Sequence, residues 1–389
     1  MSRTILNSEL LNKISDGKEI TKEEAYLLYQ EAEEDPSEIY KISQMLRNKN
    51  KGRIVTYSRK VFFNLINLCR DTCSYCTYKA EPMEAKVSMM SKKDISDLAS
   101  IGKNHRCTEA LFVTGERPEQ RYKEARDWLK KNGFGSTPEY LVHASEMALS
   151  SGLFPHTNAG NLTKSEMSQL KKTNVSLGTM LENSSERLSG KGLPHQHAPS
   201  KNPRARIHVL ENAGQISIPT TTGLLIGIGE TAFEFIDSIF TIKSIHKKYG
   251  HIQEIILQNF HPKADTTMRN FPAAEERYFK ILVALTRLVM PEMNIQIPPN
   301  LSPSSYSDFL QTGINDWGGI SPITLDYVNP EFSWPIIEEV ERNCRNCGFD
   351  LRARFPVYPE FFHMVDRDLR SKMAEVADSE GLVSREYLK

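Results

Sequence analysis

The chain has 389 residues, enough for one large α/β barrel with an extension or for two or three ordinary domains. Lysine plus arginine and aspartate plus glutamate each number 49, and this zero formal net charge argues against a bulk nucleic-acid binder. No run approaches about 18 consecutive apolar residues, so no membrane-spanning helix is expected. The first residues lack the apolar core of a signal peptide, and six cysteines in so long a chain do not resemble a disulfide framework, so we expect a cytoplasmic protein.

Residues 1–55 are polar and helical in pattern, and we interpret them as an N-terminal helical extension. Ser8 and Thr21 are predicted N-caps, because each precedes a run of helix-forming residues. Thr21 followed by Glu24 also fits a capping box. We expect this segment to act as a structural cap on the rest of the fold.

From residue 61 onward, short apolar runs typical of strands alternate with segments typical of helices, such as 91–101, 118–131 and 273–289. This alternation predicts parallel βαβ units, and about eight units within residues 56–340 predict a (β/α)8 barrel of the TIM type. A doubly wound open sheet is the alternative, but the first predicted turn carries no G-x-G-x-x-G. Residues 341–389 are predicted to form a C-terminal helical tail. The predicted strands are 61–68, 109–115, 153–160, 174–182, 219–230, 251–260, 293–300 and 314–324.

Three cysteines, Cys69, Cys73 and Cys76, follow the first predicted strand with the spacing C-x3-C-x2-C and no fourth cysteine in the run. A cubane iron–sulfur cluster normally takes four thiolates, so three would leave one iron open to a substrate or cofactor. A zinc knuckle is the alternative, but zinc takes four ligands and the nearest histidine, His105, is far along the chain. With Tyr75 before the last cysteine, the loop resembles that of the radical S-adenosylmethionine (SAM) enzymes. This resemblance implies a 4Fe–4S cluster on the three thiolates and SAM on the open iron.

Several predicted strand ends resemble the SAM-binding elements of that superfamily. The Thr-Gly-Glu stretch at 114–116 resembles a Gly-Gly-Glu-like element that holds the SAM ammonium, and Glu182 resembles a ribose ligand. The glycine-rich strand at 222–231 resembles one that lies beside the adenine, where glycine allows close approach. Arg187 could meet the SAM carboxylate, with a solvated surface arginine as the alternative. The expected SAM-binding residues are Tyr75, Thr114, Gly115, Glu116, Glu182, Arg187, Gly227 and Gln258.

Further polar side chains lie near predicted strands three and eight, and a shared position at one edge of the barrel predicts a substrate pocket. Cys344 and Cys347 invite a metal interpretation, but with only His363 nearby a zinc site is incomplete. Cys107 is expected to be a core cysteine. The expected substrate-binding residues are His156, Asn158, Asn315 and Asp316.

Four stretches together resemble the 7,8-didemethyl-8-hydroxy-5-deazariboflavin synthase family, the cyclising subunit of FO synthase in coenzyme F-420 biosynthesis. The resemblance covers roughly residues 55–360. One departure lies in the segment 199–203, which has Ser200 where a glycine is expected and Asn202 where an acid is expected. The four stretches are 69–78, 112–118, 155–160 and 313–322.

This resemblance implies a radical SAM lyase that releases ammonia. Reductive cleavage of SAM would give a 5′-deoxyadenosyl radical, which would abstract hydrogen from an adduct of a tyrosine-derived hydroxybenzyl group with a ribitylaminouracil. Ring closure and loss of ammonia with oxidation would complete the deazaflavin. The adduct-forming subunit and a low-potential electron donor are the implied partners.

Two alternatives within the superfamily are the sister enzyme that joins tyrosine to the aminouracil and a menaquinone-pathway relative. Both would share the cysteine loop, so the stretches 115–118 and 315–319 are the features that distinguish the synthase family from these relatives. A ferredoxin-like electron carrier is a third alternative, but it would need a fourth cysteine and far fewer residues.

Overall fold

The computed structural model describes the backbone of residues 3–389 and the side chains from residue 9 onward. Its centre is a closed ring of eight parallel strands, in which the first strand pairs with both the second and the eighth. The predicted (β/α)8 barrel is therefore confirmed. The strands are β1 Ile54–Ile66, β2 Glu109–Thr114, β3 Phe154–Asn158, β4 Ser176–Gly178, β5 Thr220–Ile226, β6 Ile252–Asn259, β7 Asn294–Gln296 and β8 Asp316–Ile320.

Helices cover the outside of the ring, and side chains alternate between this outer layer and the barrel lumen. On β1 and β2, Phe63 and Phe112 face outward, where their stacked rings lie 4.8 Å apart in the core beneath the helices. The intervening residues face the lumen. The helices around the ring are α4 Lys92–Asn104, α5 Pro118–Arg121, α6 Lys123–Lys131, α7 Thr137–Ser150, α8 Lys164–Leu170, α9 Pro203–Gln215, α10 Ala232–Tyr249 and α11 Glu276–Val289.

Three helices, α1 Arg3–Ser15, α2 Lys22–Ala32 and α3 Ser37–Lys51, precede the barrel, and the last two of them pack against α11. Thr21 caps α2 in a complete capping box with Glu24, as predicted. The prediction for Ser8 is wrong, because α1 already begins five residues upstream and Ser8 lies inside it. An N-cap needs extended backbone, which a residue within a helix does not have.

The predicted helical tail is only partly helical. Besides α12 Ile337–Asn346 and α13 Arg367–Ala374, the C-terminal part contains a ninth strand, β9 Asp350–Arg354. This strand pairs in parallel with β1 from Ile54 to Ser58, before the stretch of β1 that pairs with β2. The free edge of β1 explains why a segment without a strong strand pattern becomes a strand. No helix in the described part of the chain is long and apolar enough to cross a membrane.

Arg47 of α3 joins the N-terminal helices to the amino-terminal edge of the barrel. Its buried guanidinium donates to the backbone carbonyls of Ile314 at 3.1 Å and Ile54 at 2.8 Å. The same group stacks on Phe349, 4.0 Å from the ring centre. Burial lowers the pKa of Arg47 to about 10, so the side chain stays charged at neutral pH.

Replacing Arg47 by methionine should therefore destabilise the fold. Arg47→Met leaves buried carbonyl oxygens without a donor, and we expect the free energy of unfolding to fall by about 3 kcal/mol. Lys49→Met, on the exposed side of the same helix, is the matched control and should change it by less than about 0.5 kcal/mol. Denaturant unfolding of both variants measures the difference, and equal stabilities would contradict this role for Arg47.

Candidate active site

The cysteine loop lies at the carboxyl end of β1 and is fixed by backbone hydrogen bonds to two other segments. Thr72 N–H donates to His197 O at 2.8 Å, and Ser74 N–H donates to Pro194 O at 2.9 Å. At the end of β2, the Glu116 N–H lies 3.2 Å from Cys69 Sγ. The loop is therefore held in place by protein contacts on both sides.

The three thiols of this loop fit a metal cluster. Cys69, Cys73 and Cys76 form no disulfide, and all three line one cavity of about 280 Å³. Burial raises the pKa of Cys69 to about 11 and also raises that of Cys73, because a thiolate is poorly solvated there. Iron bound to the sulfurs would supply the positive charge that buried thiolates need.

Gly115 allows the end of β2 to approach the cysteine loop. A Cβ atom at this position would lie 2.0 Å from Leu68 O and 2.8 Å from Cys69 Cα, so no other residue fits without moving the backbone. Glu116 follows and is buried, and its Oε2 accepts the Asn161 N–H at 2.9 Å. Its Oε1 is buried without a hydrogen-bond donor in the described part of the chain. The cavity therefore contains a carboxylate oxygen that can accept a hydrogen bond from a ligand.

Glu182, after β4, supplies a second carboxylate to the same cavity. Its backbone has a left-handed φ of 63°, and its Oε1 pairs with Lys201 Nζ. The Glu182 Oε2 makes no hydrogen bond to any described residue. Lys201 and the nearby Arg206 hold the pKa of Glu182 below its usual value against the opposing effect of burial.

Ser200 explains the departure from the family pattern. Its hydroxyl and its backbone N–H both donate to Oδ2 of the buried Asp71, in the cysteine loop. Its carbonyl accepts the Arg206 Nε–H at 2.9 Å. Ser200 therefore links the cysteine loop to α9. A glycine at this position could not make the hydrogen bond that the Ser200 hydroxyl donates to Asp71.

Most of the predicted cluster and SAM residues surround this one cavity, together with one predicted substrate residue. Tyr75 is fixed beside the cavity by a 3.0 Å hydrogen bond between its hydroxyl and His195 Nε2. The predicted residues that line the cavity are Cys69, Cys73, Tyr75, Cys76, Thr114, Gly115, Glu116, Asn158, Glu182 and Gln258.

Two predicted SAM residues lie away from the cavity. Arg187 forms a bidentate pair with Glu234 at the start of α10, where its guanidinium is partly exposed, and it also donates to Gly229 O at 2.6 Å. Gly227 donates its N–H to Glu230 at 2.8 Å in the turn after β5. The structure therefore places Arg187 outside the cavity, with its charge paired to a carboxylate of α10.

The predicted substrate residues Asn315 and Asp316 lie at the opposite end of the barrel from the cysteines, so the structure does not bring them to the cavity. The apolar run there suggested that they lie near a strand end, but β8 begins at Asp316. Arg354 of β9 donates to the two Asp316 oxygens at 2.6 and 2.9 Å and to Glu254 at 2.8 Å. Asn315 accepts from Arg287 at 2.9 Å. These contacts close the base of the barrel.

His156 lies inside the barrel but does not line the cavity. Its Nδ1 is 2.7 Å from Ser176 Oγ on β4, and burial lowers its pKa to about 4, so it is neutral at physiological pH. Asn158, two residues further along β3, reaches the cavity. His156 therefore occupies a deeper layer of the lumen than Asn158, the other predicted substrate residue on β3.

The remaining cysteines behave as core or surface residues. Cys107 is buried with its Sγ 3.6 Å from Lys60 O, as expected. Cys344 accepts the Trp317 indole N–H at 3.2 Å, whereas Cys347 is exposed. No third metal-ligating side chain joins these two cysteines within the described residues.

Several cavity residues were missed by the sequence analysis. Lys201 and Arg206 follow the loop after β4, and only the packing of α9 brings their charges to the cavity. The buried Lys263 donates to Asn329 Oδ1 at 2.8 Å and carries no motif that distinguishes it from a surface lysine. His261 also lines the cavity and is missed for the same reason. The one sequence feature that could have indicated Lys201 is the pair of prolines at 199 and 203, which fix the loop beside it.

Comparison with known proteins adds family information to this geometry. The model of the radical SAM superfamily matches residues 63–242. The 7,8-didemethyl-8-hydroxy-5-deazariboflavin synthase of Methanopyrus kandleri is 44% identical over 309 residues, which cover 79% of this chain and 92% of the relative. The synthase of Methanocaldococcus jannaschii is 44% identical over 317 residues, covering 81% and 87%.

A longer relative and two solved structures are also similar. The FO synthase of Streptomyces coelicolor is 42% identical over 344 residues, which cover 86% of this chain but only 40% of that protein. Methylornithine synthase (PylB) superposes with a TM-score of 0.69 at 16% identity, covering 88% of this chain and 97% of that one. The hydrogenase maturase HydG of Carboxydothermus hydrogenoformans gives 0.71 at 20% identity, covering 90% and 79%. At these identities the structures support the fold alone.

Adding a methyl group at Gly115 should separate β2 from the cysteine loop. In Gly115→Ala the new Cβ would overlap Leu68 O, and we expect the free energy of unfolding of the reduced protein to fall by about 1–3 kcal/mol. Alkylation of the loop cysteines should also become faster. Gly135→Ala is the control, since its Cβ would meet only the flexible end of Glu139 at 3.3 Å. Unchanged stability and alkylation rate in Gly115→Ala would show that the close approach is not required.

Proposed function

The chain belongs to the radical SAM superfamily and, within it, to the 7,8-didemethyl-8-hydroxy-5-deazariboflavin synthase family, and we propose that it forms the deazaflavin ring of that compound in coenzyme F-420 biosynthesis. The proposed substrate is the hydroxybenzyl–ribitylaminouracil adduct, and the proposed reaction releases ammonia, as a carbon–nitrogen lyase does. One observation carries the proposal: the three-cysteine loop shares a single cavity with the buried carboxylates Glu116 and Glu182.

Cys69, Cys73 and Cys76 would hold a 4Fe–4S cluster, whose fourth iron has no cysteine ligand in the loop. When bound, the cluster supplies the electron that cleaves SAM into methionine and a 5′-deoxyadenosyl radical. The barrel walls and the loops at the carboxyl ends of the strands would limit the access of water and other quenching groups to a radical. An oxygen-sensitive cluster also favours a cytoplasmic location.

Three charged side chains are available for the polar groups of SAM. Glu116 Oε1 accepts no hydrogen bond within the described residues, although Arg70 and Arg117 lie 3.7 and 3.9 Å away, and it can accept from the ammonium. The free Glu182 Oε2 can accept from the ribose hydroxyls. Arg206 uses its Nε for Ser200 O, and its two terminal nitrogens make no hydrogen bond within the described residues. We assign Arg206, in place of Arg187, to the SAM carboxylate.

Two partners follow from the same proposal. The chain spans only about 40% of the length of the FO synthases that it resembles. The adduct-forming FO synthase subunit is the proposed source of the adduct. A low-potential electron donor is needed to reduce the cluster. Neither the source of the adduct nor the electron donor affects which residues are proposed to bind the cluster and SAM.

The cluster assignment predicts different outcomes for two groups of cysteines. After anaerobic reconstitution, Cys73→Ala should retain much less than four irons per chain and lose the SAM-dependent change in the electron paramagnetic signal. Cys344→Ala should behave as the parent does, because Cys344 binds the Trp317 indole instead. Iron and sulfide analysis with the spectrum measures both. Cluster loss in Cys344→Ala together with a normal cluster in Cys73→Ala would reverse the assignment.

The SAM assignment predicts that two arginines differ. Loss of a charge-assisted hydrogen bond in a buried site costs about 1.5–3 kcal/mol, so Arg206→Met should weaken SAM binding roughly tenfold to a hundredfold. Glu182→Ala should have a similar effect. Arg187→Met removes an exposed arginine paired with Glu234 and should leave SAM binding unchanged. Equilibrium titration of the reconstituted protein tests this, and weakened binding in Arg187→Met alone would restore the original assignment.

The complete proposal is tested by an anaerobic assay with the adduct, SAM and a reductant. We expect the fluorescence of the deazaflavin to appear together with 5′-deoxyadenosine, methionine and ammonia. If the same protein instead joined tyrosine to the free aminouracil, it would belong with the sister enzyme, and the proposed reaction would be wrong.

A further inference from the structure

Two opposite charges lie side by side on the lumen face of β1 and β2. Val61 and Phe63 pack outward beneath the helices, so the alternating residue Lys60 faces the lumen. Glu109 is the register partner of Lys60 on the neighbouring parallel strand, and its side chain therefore points to the same side. The pair lies within the barrel, below the cavity that the cysteines line.

Neither charge has a protein partner. Lys60 is 7% exposed and Glu109 is 6% exposed, yet within the described residues neither side chain forms a hydrogen bond or an ion pair. The Lys60 ammonium lies 4.2 Å from the centre of the Trp334 ring, a cation–π contact that leaves its N–H donors free. Buried charges are normally paired, but these two neighbouring side chains form no ion pair with each other.

Other polar atoms around the pair also have no partners. The indole N–H of Trp334, beside the Lys60 ammonium, is buried without a hydrogen bond in the described part of the chain. Higher on the same lumen face, at the level of Val113, the side-chain Oδ1 of Asn64 is likewise buried without one. By contrast, the charges at the base, Arg354 with Asp316 and Glu254, satisfy one another. Unsatisfied donors and acceptors are therefore present in the layer between the closed base and the cavity.

The position of this layer suits a substrate that extends down from the cavity. Glu109 precedes Val113 by four residues on β2, and Val113 lines the cavity, so the two levels are about 13 Å apart along the strand. Aromatic rings lie between the two levels, since Phe62 also faces the lumen and contacts Tyr327 edge-on at 5.2 Å. Flat rings pack well against such surfaces.

We propose that Lys60 and Glu109 bind the pyrimidinedione edge of the substrate, with the ammonium donating to a ring carbonyl and the carboxylate accepting from the adjacent ring N–H. The inference rests on the proposed function and adds the orientation of the substrate. Two opposite charges that sum to zero suit a neutral ligand that presents an acceptor beside a donor. The uracil half then lies toward the base, and the hydroxybenzyl half lies toward the cysteines, where the hydrogen atom is abstracted.

The test compares the adduct with an analogue methylated at N3 of the pyrimidinedione, which lacks the ring N–H. Binding to the reconstituted protein is titrated anaerobically by calorimetry. We expect the parent protein to bind the analogue at least tenfold more weakly than the adduct, which corresponds to about 1.4 kcal/mol. In Glu109→Met both ligands should bind weakly, with affinities within about threefold of each other. This comparison of ligands distinguishes recognition from a merely structural role.

Lys60→Met should weaken adduct binding by about tenfold to a hundredfold while the SAM dissociation constant stays within about twofold. Lys51→Met is the matched control, because that half-buried lysine pairs with Glu360 outside the lumen. It should bind the adduct normally.

Three outcomes separate this inference from the proposed function. Equal binding of adduct and analogue by the parent protein, a comparison that needs no variant to fold, would overturn the subsite. A Glu109→Met protein that keeps the full preference for the adduct would also overturn it, even while the parent forms deazaflavin. Failure of the parent to bind the adduct or to form deazaflavin would instead contradict the proposed function itself.

Discussion

The pairing of β1 with three other strands is the constraint on which the rest of the structure depends. The carboxyl half of β1 pairs with β2 and leads directly into the cysteine loop. Its amino half pairs with β8 and, from Ile54 to Ser58, with β9. One strand of 13 residues thus fixes the position of the cysteines at one end of the barrel and of the C-terminal segment at the other. A shorter strand could not do both. From Lys60 onward β1 is paired with β2, so β9 can pair only with the residues of β1 that precede Lys60.

This arrangement divides the polar groups of the lumen into two kinds. At the base, Arg354 of β9 pairs with Asp316 and Glu254, and the hydroxyl of Tyr358 donates to Glu254 at 2.6 Å. Every charge there has a partner, which is what a buried network needs in order to stabilise a fold. Above it, Lys60 lacks a hydrogen-bond partner in the described residues. A closed base below unpaired groups is the arrangement of a binding site with one entrance, at the carboxyl ends of the strands.

Local patterns in the sequence were sufficient for the order of the eight barrel strands and for the cysteine loop, but not for features that depend on packing. The first strand begins at Ile54 and not at residue 61 as predicted. The predicted run at 314–324 mixes apolar residues with Asn315 and Asp316, and nothing in it shows that β8 begins at Asp316. Arg187 and Arg206 follow the same strand, and only the carboxylate of Glu234 beside Arg187 shows which arginine is free to bind a ligand. The strand β9 forms because an edge is available, and such an edge has no local signature.

The carboxylate of Glu182, which lines the cavity, illustrates how far the position of one side chain can depend on residues outside the cavity. Its left-handed backbone is unfavourable for a glutamate and persists only because β5 holds it. Glu182 N–H donates to Gly223 O at 2.9 Å, and Leu225 N–H donates back to Glu182 O at 3.2 Å. Gly223 has no room for a side chain, since a Cβ there would lie 2.6 Å from Ile256 O. The close packing of β5 on β6 thus allows β5 to hold the backbone turn that directs the Glu182 carboxylate into the cavity.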